Sequence, residues 1–299
     1  MMRRLLLTGG TGFFGKSILS LYAEGKFEKY EFHILSRDPD GFCSRFPEIT
    51  RKKNIHFLRG DVRSFDFPHE HFDAVIHAAT PAMHMPPGEQ RDIILKGNER
   101  ILAFAKKNGG RILFTSSGAV YGPQPPDLDA FPESFPCSPV TEYGIAKKEA
   151  EDQFLSSGTD CVIARCFAFT GPYLRRDIHF AIGNFIRDAL AGTPIVIQGD
   201  GTPLRSYLYA DDLAEWLFAC LESGTSCGIY NIGSAHPVSI AELALKVKTV
   251  LNSSSPIEIR GKPDPDLPVQ KYIPSVRKIK SELKVSENFT LEEAIRLSC

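Results

Sequence analysis

Thr8-Gly9-Gly10-Thr11-Gly12-Phe13-Phe14-Gly15 is the stretch that decides the fold. It follows a short apolar run, RRLLLT at 3–8, and opens a helical pattern, FFGKSILSLYAEG at 13–25. At a strand-to-helix turn glycines permit the tight reversal, let the backbone approach a pyrophosphate and allow close helix–strand packing. The helix start adds unpaired N–H groups and the positive end of the helix dipole. The spacing is GxxGxxG. Gly9, Thr11, Gly12, Phe13, Phe14 and Gly15 are therefore the expected dinucleotide-holding residues.

Outward from this turn the pattern repeats. YEFHILS (30–36), NIHFLRG (54–60), FDAVIHAA (72–79) and RILFTSS (111–117) are strand-length apolar runs, and RDIILKGNERILAFAKKNG (91–109) carries helical spacing. Such alternation predicts right-handed βαβ units and a doubly wound parallel α/β (Rossmann) sheet covered on both faces. The second half keeps helical patterns at 141–157, 181–192, 210–224 and 239–252 but interrupts them with proline. GKPDPDLPVQKYIPS at 261–275 has too many prolines for a central strand or long helix and reads as an ordered surface loop or lid. The expected organisation is a dinucleotide-binding lobe over 1–165 and a smaller α/β substrate lobe over 166–299. The helix from Tyr143 and the Tyr207–Trp216 region are expected to cross back to the first lobe.

Bulk properties narrow the class. The 299 residues are 42% hydrophobic and 24% charged, values of a globular protein, and the formal charge is -1. Without a basic stripe, nucleic acid is not an expected partner. Seven cysteines leave one unpaired in any disulfide scheme, and Cys161 and Cys166 fall in an apolar run, so reduced thiols and a cytoplasmic location are expected. The run LLL near the start is too short for a signal peptide, and no apolar run reaches bilayer length, so no membrane association is expected. His77 and His84 flank one segment without further spaced ligands, so no metal site is expected.

Two further stretches bear on chemistry. The second strand ends in Ser36 and Arg37. Arginine cannot accept from ribose hydroxyls but can pair with a 2′-phosphate, which favours NADP over NAD; Asp38 follows and is the alternative partner for the ribose. Tyr143 and Lys147 lie one turn apart at a helix start, so the ammonium is expected near the phenol, lowering its pKa for proton transfer. The strand ending in serines precedes them, and strand carboxyl ends are where a doubly wound fold holds its ligand.

TGGTGFFG (8–15), GDV (60–62), HAAT (77–80), TSSGAVYG (115–122), YGIAK (143–147), ARCFAFTGP (164–172), IQGDGTPLRSYLYADDLA (197–214) and YNIGS (230–234) together resemble the extended short-chain dehydrogenases/reductases, and within them the nucleotide-sugar epimerase/dehydratase group. The resemblance implies Tyr143 as general acid or base, Lys147 holding the nicotinamide ribose and tuning Tyr143, and Ser117 bonding the reacting sugar oxygen. It also implies Asp61 and Val62 at the adenine end, and Ala78, Ala79 and Thr80 lining the cofactor. Arg205 matches a substrate-contacting arginine, beside Ser117 and Tyr143.

The chain departs from the group where dehydratases carry Asp-Glu and decarboxylases a glutamate: these positions are Gly118 and Ala119. Ala168 and Ile94 replace asparagines. The expected function is an NAD(P)-dependent oxidoreductase or isomerase acting at C4 of a nucleoside-diphosphate sugar, as a 4-epimerase or 4-ketoreductase. The alternatives are a 4,6-dehydratase and a non-catalytic dinucleotide sensor of the same fold. By analogy with the group, a homodimer is possible.

Overall fold

The computed structural model describes residues 2–81, 85–177 and 180–299; His84 lies outside them. Six strands form the body of a parallel sheet: β1 (Arg3–Thr8), β2 (Tyr30–Ser36), β3 (Ile55–Arg59), β4 (Ala74–His77), β5 (Arg111–Ser117) and β6 (Cys161–Cys166). A seventh, Ile229–Ile232, pairs with β6, giving the order 3-2-1-4-5-6 followed by this late strand. Chain direction in the strand order reverses between β1 and β4, the switch point at which doubly wound folds hold a ligand beyond the strand carboxyl ends.

Five helices cover the sheet in this half: α1 (Phe13–Ala23), α2 (Pro39–Arg45), α3 (Pro47–Thr50), α4 (Pro87–Asn108) and α5 (Glu142–Leu155). One face buries Leu5, Leu7, Ile18, Phe32 and Ile76 together with Leu213 and Trp216 from the helix Ala210–Ser223. The other buries Leu6, Val75, Ile101, Phe104, Ile112 and Phe154. Because both faces are covered, these strands read as continuous apolar runs rather than alternating ones. Sequence from the second half thus completes the first layer, through the helix Ala210–Ser223 and the edge strand Ile229–Ile232.

The remaining elements gather around a separate core of Ile182, Phe185, Ile186, Leu243, Val247 and Ile295. Ile195–Ile197 pairs with Ile257–Ile259, and Leu204–Arg205 lies between Val238–Ser239 and Lys271–Tyr272. The proline-rich stretch is exposed over 262–270, then turns inward: Lys271 and Tyr272 form a short strand beside Arg205. Among the described residues no helix is long and apolar enough to cross a membrane.

Candidate active site

At the mouth of β1 the turn is built from contacts that admit no side chain. Gly9 has φ +71°, and a Cβ there would lie 2.3 Å from the Ala78 carbonyl oxygen. A Cβ on Gly15 would lie 2.2 Å from the Gly10 Cα. Gly12 N–H donates to Gly9 O at 2.9 Å, and Gly12 caps α1 with no side-chain hydrogen bond. The first-turn N–H groups of α1 are left to an anion. Phe13 and Phe14 are half-buried behind them, with Phe14 edge-on to Phe169 at 5.2 Å. This side-chain-free cradle fits a dinucleotide pyrophosphate, with Gly9, Thr11 and Gly12 at its rim.

The β4 end is held by a buried polar chain. Ala79 N–H donates to Thr8 Oγ1 at 3.3 Å, and Thr8 Oγ1 lies 2.7 Å from His77 Nδ1. His77 Nε2 lies 2.9 Å from Asn98 Oδ1, while Asn98 Nδ2 donates to Gln153. These partners put the ring proton on Nε2 and leave Nδ1 to accept from Thr8. Burial, reinforced by the Lys147 charge, drives the His77 pKa down to about 3, so the ring is neutral. It is a structural brace between β1 and β4, and it holds Ala78 against Gly9. Asn98 escaped the sequence reading, while Ile94, one turn earlier, packs in the core.

At the adenine end, Ser36 is buried and its hydroxyl accepts from Asp38 N–H at 3.2 Å. Arg37 is exposed. The Asp38 carboxylate turns to the start of α2 and accepts from Gly41 N–H at 3.1 Å. Asp61 is held by Arg63, whose Nε and Nη2 bond its two oxygens at 2.8 and 3.1 Å, and this pairing keeps its carboxyl below the usual range. Val62 packs on Gly97, and Thr80 is exposed beyond Ala79.

The reactive groups converge where β5 meets α5. Thr141 caps α5 by accepting from Gly144 N–H at 3.1 Å, which sets Tyr143 in the first turn. Tyr143, Lys147 and Glu151 follow at four-residue intervals and so share the face turned to the sheet. Lys147 is buried and its ammonium donates to Thr115 O at 2.9 Å. Glu151, also buried, accepts from Ser116 Oγ at 2.6 Å and from Arg165 Nη2 at 2.7 Å. Ser117 Oγ accepts from Ala119 N–H at 3.2 Å, and its hydroxyl is near enough to the Tyr143 phenol to oppose the rise in that group's pKa.

The electrostatics differ from the sequence expectation. Burial dominates and pushes the Tyr143 phenol up, with the Cys166 thiol adding to the rise and Ser117 opposing it. The same burial lowers Lys147 from 10.5 to about 8. The Lys147 ammonium is directed at a strand carbonyl, 5.8 Å from the centre of the Tyr143 ring, and does not offset that burial. Cys166, whose thiol burial raises to about 12, faces both groups and was read from sequence only as a strand residue.

Arg205 is half-buried on the second lobe, donating to Leu204 O at 2.8 Å, with its guanidinium 6.0 Å from the centre of the Tyr272 ring. The Tyr272 phenol oxygen lies beside Gly118, 2.5 Å from where a Cβ would stand there. It too was missed, because the proline content around it reads as a loop. Ala168 lies half-buried, its carbonyl accepting from Leu208 N–H at 3.1 Å. Among the described residues no group of three or more His, Cys, Asp or Glu is placed to hold a metal ion.

A model of the NAD dependent epimerase/dehydratase family matches residues 5–233. The chain is 30% identical over 308 residues to UDP-glucuronic acid decarboxylase 3 of Arabidopsis thaliana, covering 98% of this chain and 87% of that protein. It is 27% identical to UDP-glucuronic acid decarboxylase 1 of Xenopus tropicalis, over 98% and 70% of the two chains. Among solved structures, UDP-N-acetylglucosamine 4-epimerase of Methanobrevibacter ruminantium superposes with a TM-score of 0.84 at 23% identity, covering 99% and 97%. The dTDP-glucose 4,6-dehydratase of Bacillus anthracis, determined with NAD, gives 0.84 at 21%, covering 99% and 95%. The sheet order and the second lobe are thus those of a known fold.

The buried lysine has a measurable cost. Its folded pKa of about 8 lies below the unfolded 10.5, so the unfolded chain binds more protons between these values. The penalty is full below pH 8, about 3 kcal/mol, and is relieved as pH rises toward 10.5. Lys147→Met removes it and forfeits one hydrogen bond of about 1 kcal/mol. The variant is expected to unfold at higher denaturant than the parent at pH 7, with the gap closing by pH 10.5. A variant less stable than the parent at pH 7 would contradict this.

Proposed function

The chain belongs to the NAD dependent epimerase/dehydratase family, and from that premise we propose that it is an oxidoreductase or isomerase acting at C4 of a nucleoside-diphosphate sugar, as a 4-epimerase or a 4-ketoreductase. One observation carries the reading. Ser117, Tyr143 and Lys147 converge at the carboxyl end of β5, while the next two residues, Gly118 and Ala119, bear no ionisable side chain.

The bound nicotinamide supplies the two-electron oxidation and reduction of the carbinol carbon. The chain's own groups handle the proton and the placement. Ser117 donates to the reacting sugar oxygen, and Tyr143 Oη takes its proton on oxidation or returns it on reduction. Burial keeps Tyr143 protonated, the state that donates to a ketone oxygen. Lys147, held on Thr115 O, keeps its charge beside the phenol and toward the cofactor ribose. Arg205, next to Tyr272, is the cation for the substrate diphosphate. The relatives' names support a uridine nucleotide sugar as substrate.

A second reading is decarboxylation, supported by the 30% identity to a UDP-glucuronic acid decarboxylase. A uronic acid oxidised at C4 is a β-keto acid, which loses carbon dioxide without a dedicated carboxylate. The seven free thiols suit a cytoplasmic setting, and by analogy of fold the helices of the first lobe are the surface for a two-fold homodimer.

Turnover of a panel of UDP- and dTDP-sugars and their 4-keto forms, read by NMR, tests the reaction. The expected product is inverted or reduced at C4 and keeps its C6 hydroxyl, and Tyr143→Phe lowers turnover about a hundredfold. A 4-keto-6-deoxy sugar would place the chain with the dehydratases, and a pentose with carbon dioxide release would select decarboxylation. Absence of turnover with cofactor binding intact would select the sensor.

For the cofactor we propose NADP over NAD. Arg37 is exposed at the end of β2, and the neighbouring carboxylate that would serve a ribose is committed to Gly41. A single arginine–phosphate pair contributes roughly 1.5–3 kcal/mol, about ten- to a hundredfold in affinity. NADPH is expected to bind that much more tightly than NADH by fluorescence titration, and Arg37→Ala to erase the difference. Equal affinities in the parent protein would contradict the assignment.

A further inference from the structure

Cys161 opens β6, and Cys227 stands in the turn that leads into the strand Ile229–Ile232. Ile163 and Ile229 are cross-strand partners, and each cysteine lies two residues before its isoleucine. Cys227 N–H donates to Cys161 O at 2.7 Å and Ile163 N–H to Gly228 O at 2.9 Å, so the two segments are tied backbone to backbone. Neighbouring strands lie about 4.8 Å apart, within the roughly 4.4–6.8 Å between Cα atoms that a disulfide spans. Gly228 N–H closes the turn on Thr225 O at 2.8 Å and holds Cys227 at φ +57°, a left-handed conformation. Glycine or asparagine would close the same turn with less backbone strain. Both thiols are free; Cys161 is buried, its Sγ 3.6 Å from Phe154 O, whereas Cys227 is exposed.

We propose that Cys161 and Cys227 form a dithiol site that takes a low-molecular-weight disulfide and closes to an internal disulfide. The exposed Cys227 is the entry thiol. Its thiolate attacks one sulfur of the small disulfide, whose S–S bond breaks, and the departing thiolate takes up the proton that Cys227 gave. Cys161, on losing its own proton, then attacks the Cys227 sulfur and displaces the second small thiol, which takes that proton. Two cysteine thiols are oxidised by two electrons in all, and the small disulfide is reduced to two thiols. Burial raises the Cys161 thiol to about 12, and the charge of Cys227 adds to the rise, so Cys161 does not compete for entry. Capping Cys227 removes that charge, while Arg111, which donates to Gly224 O, still favours the Cys161 thiolate. The closing step thus follows the entry step. The pair stands at the amino end of β6, whereas Cys166 at its other end is the cross-strand partner of Ser117. The disulfide therefore clamps the edge strand to the sheet away from the reactive groups.

The test treats the holoprotein with an excess of oxidised glutathione, traps the remaining thiols with iodoacetamide and maps every sulfur by mass spectrometry of a nonreduced digest. The parent is expected to show the peptides of Cys161 and Cys227 joined as its main oxidised product, and dithiothreitol to separate them. Cys299, also exposed, is the control for exposure alone and is expected to carry glutathione without a link. Cys161→Ala is expected to stop at glutathione on Cys227. Cys227→Asn, which suits the left-handed turn, is expected to lose the link and leave Cys161 unmodified. Glutathione that persists on Cys227 of the parent with no link to Cys161 would overturn the proposal, as would a Cys227 that stays unmodified while Cys299 reacts. The map of the parent needs no variant, so the outcome is decided even if Cys161→Ala fails to fold.

Discussion

Two charged side chains buried on one face of α5 hold this site together. Lys147 bonds the Thr115 carbonyl, and four residues on Glu151 bonds Ser116 and Arg165, so one helix is pinned to β5 and β6 at successive turns. Burying an ammonium and a carboxylate is unfavourable unless each finds partners, and here each does. With those two contacts fixed, the position of Tyr143 one turn before Lys147, near the Ser117 end of β5, follows. Removing Glu151 would leave the buried Arg165 guanidinium with the Glu133 carbonyl and the Tyr121 ring but no counter-charge, and α5 would lose the contact that keeps it in register with the strand.

The same economy operates at the glycine turn. Thr8 and His77 are paired in register across β1 and β4, and their side chains bond each other. That bond sets the height of Ala78 against Gly9, closing the cradle from the side opposite α1. A neutral histidine here is a brace whose two nitrogens are both used, so it has no capacity left for metal or proton chemistry. The cofactor end and the reacting end of the site are joined through this segment, since Thr115 also bonds the His77 carbonyl.

Much of this was legible because it is local. Glycines at a strand–helix turn, and a tyrosine and lysine one helical turn apart, impose geometry over a few residues, and the structure places the first at the end of β1 and the second on the helix packed against β5, two strands away. What escaped was set by contacts between distant segments. Tyr272 sits in a stretch whose prolines argue for a loop, and only pairing with Leu204–Arg205 brings it to Gly118 at the end of β5. Asn98 and Glu151 look like ordinary helix polar residues until their buried partners are seen. The direction of the Tyr143 shift was misjudged because spacing reports that a cation is near, whereas burial, which dominates, is a property of the assembled lobes.

The central claim is that this arrangement oxidises and reduces a sugar carbinol at C4. UDP-glucose and UDP-glucuronate carrying deuterium at C4 alone, mixed with holoprotein and quenched within the first turnover, test it directly. The account predicts that deuterium lost from C4 is recovered in the bound cofactor by mass spectrometry, and that Tyr143→Phe suppresses the transfer. Deuterium that stays on C4 while the sugar is converted, or a cofactor that gains none, would contradict it.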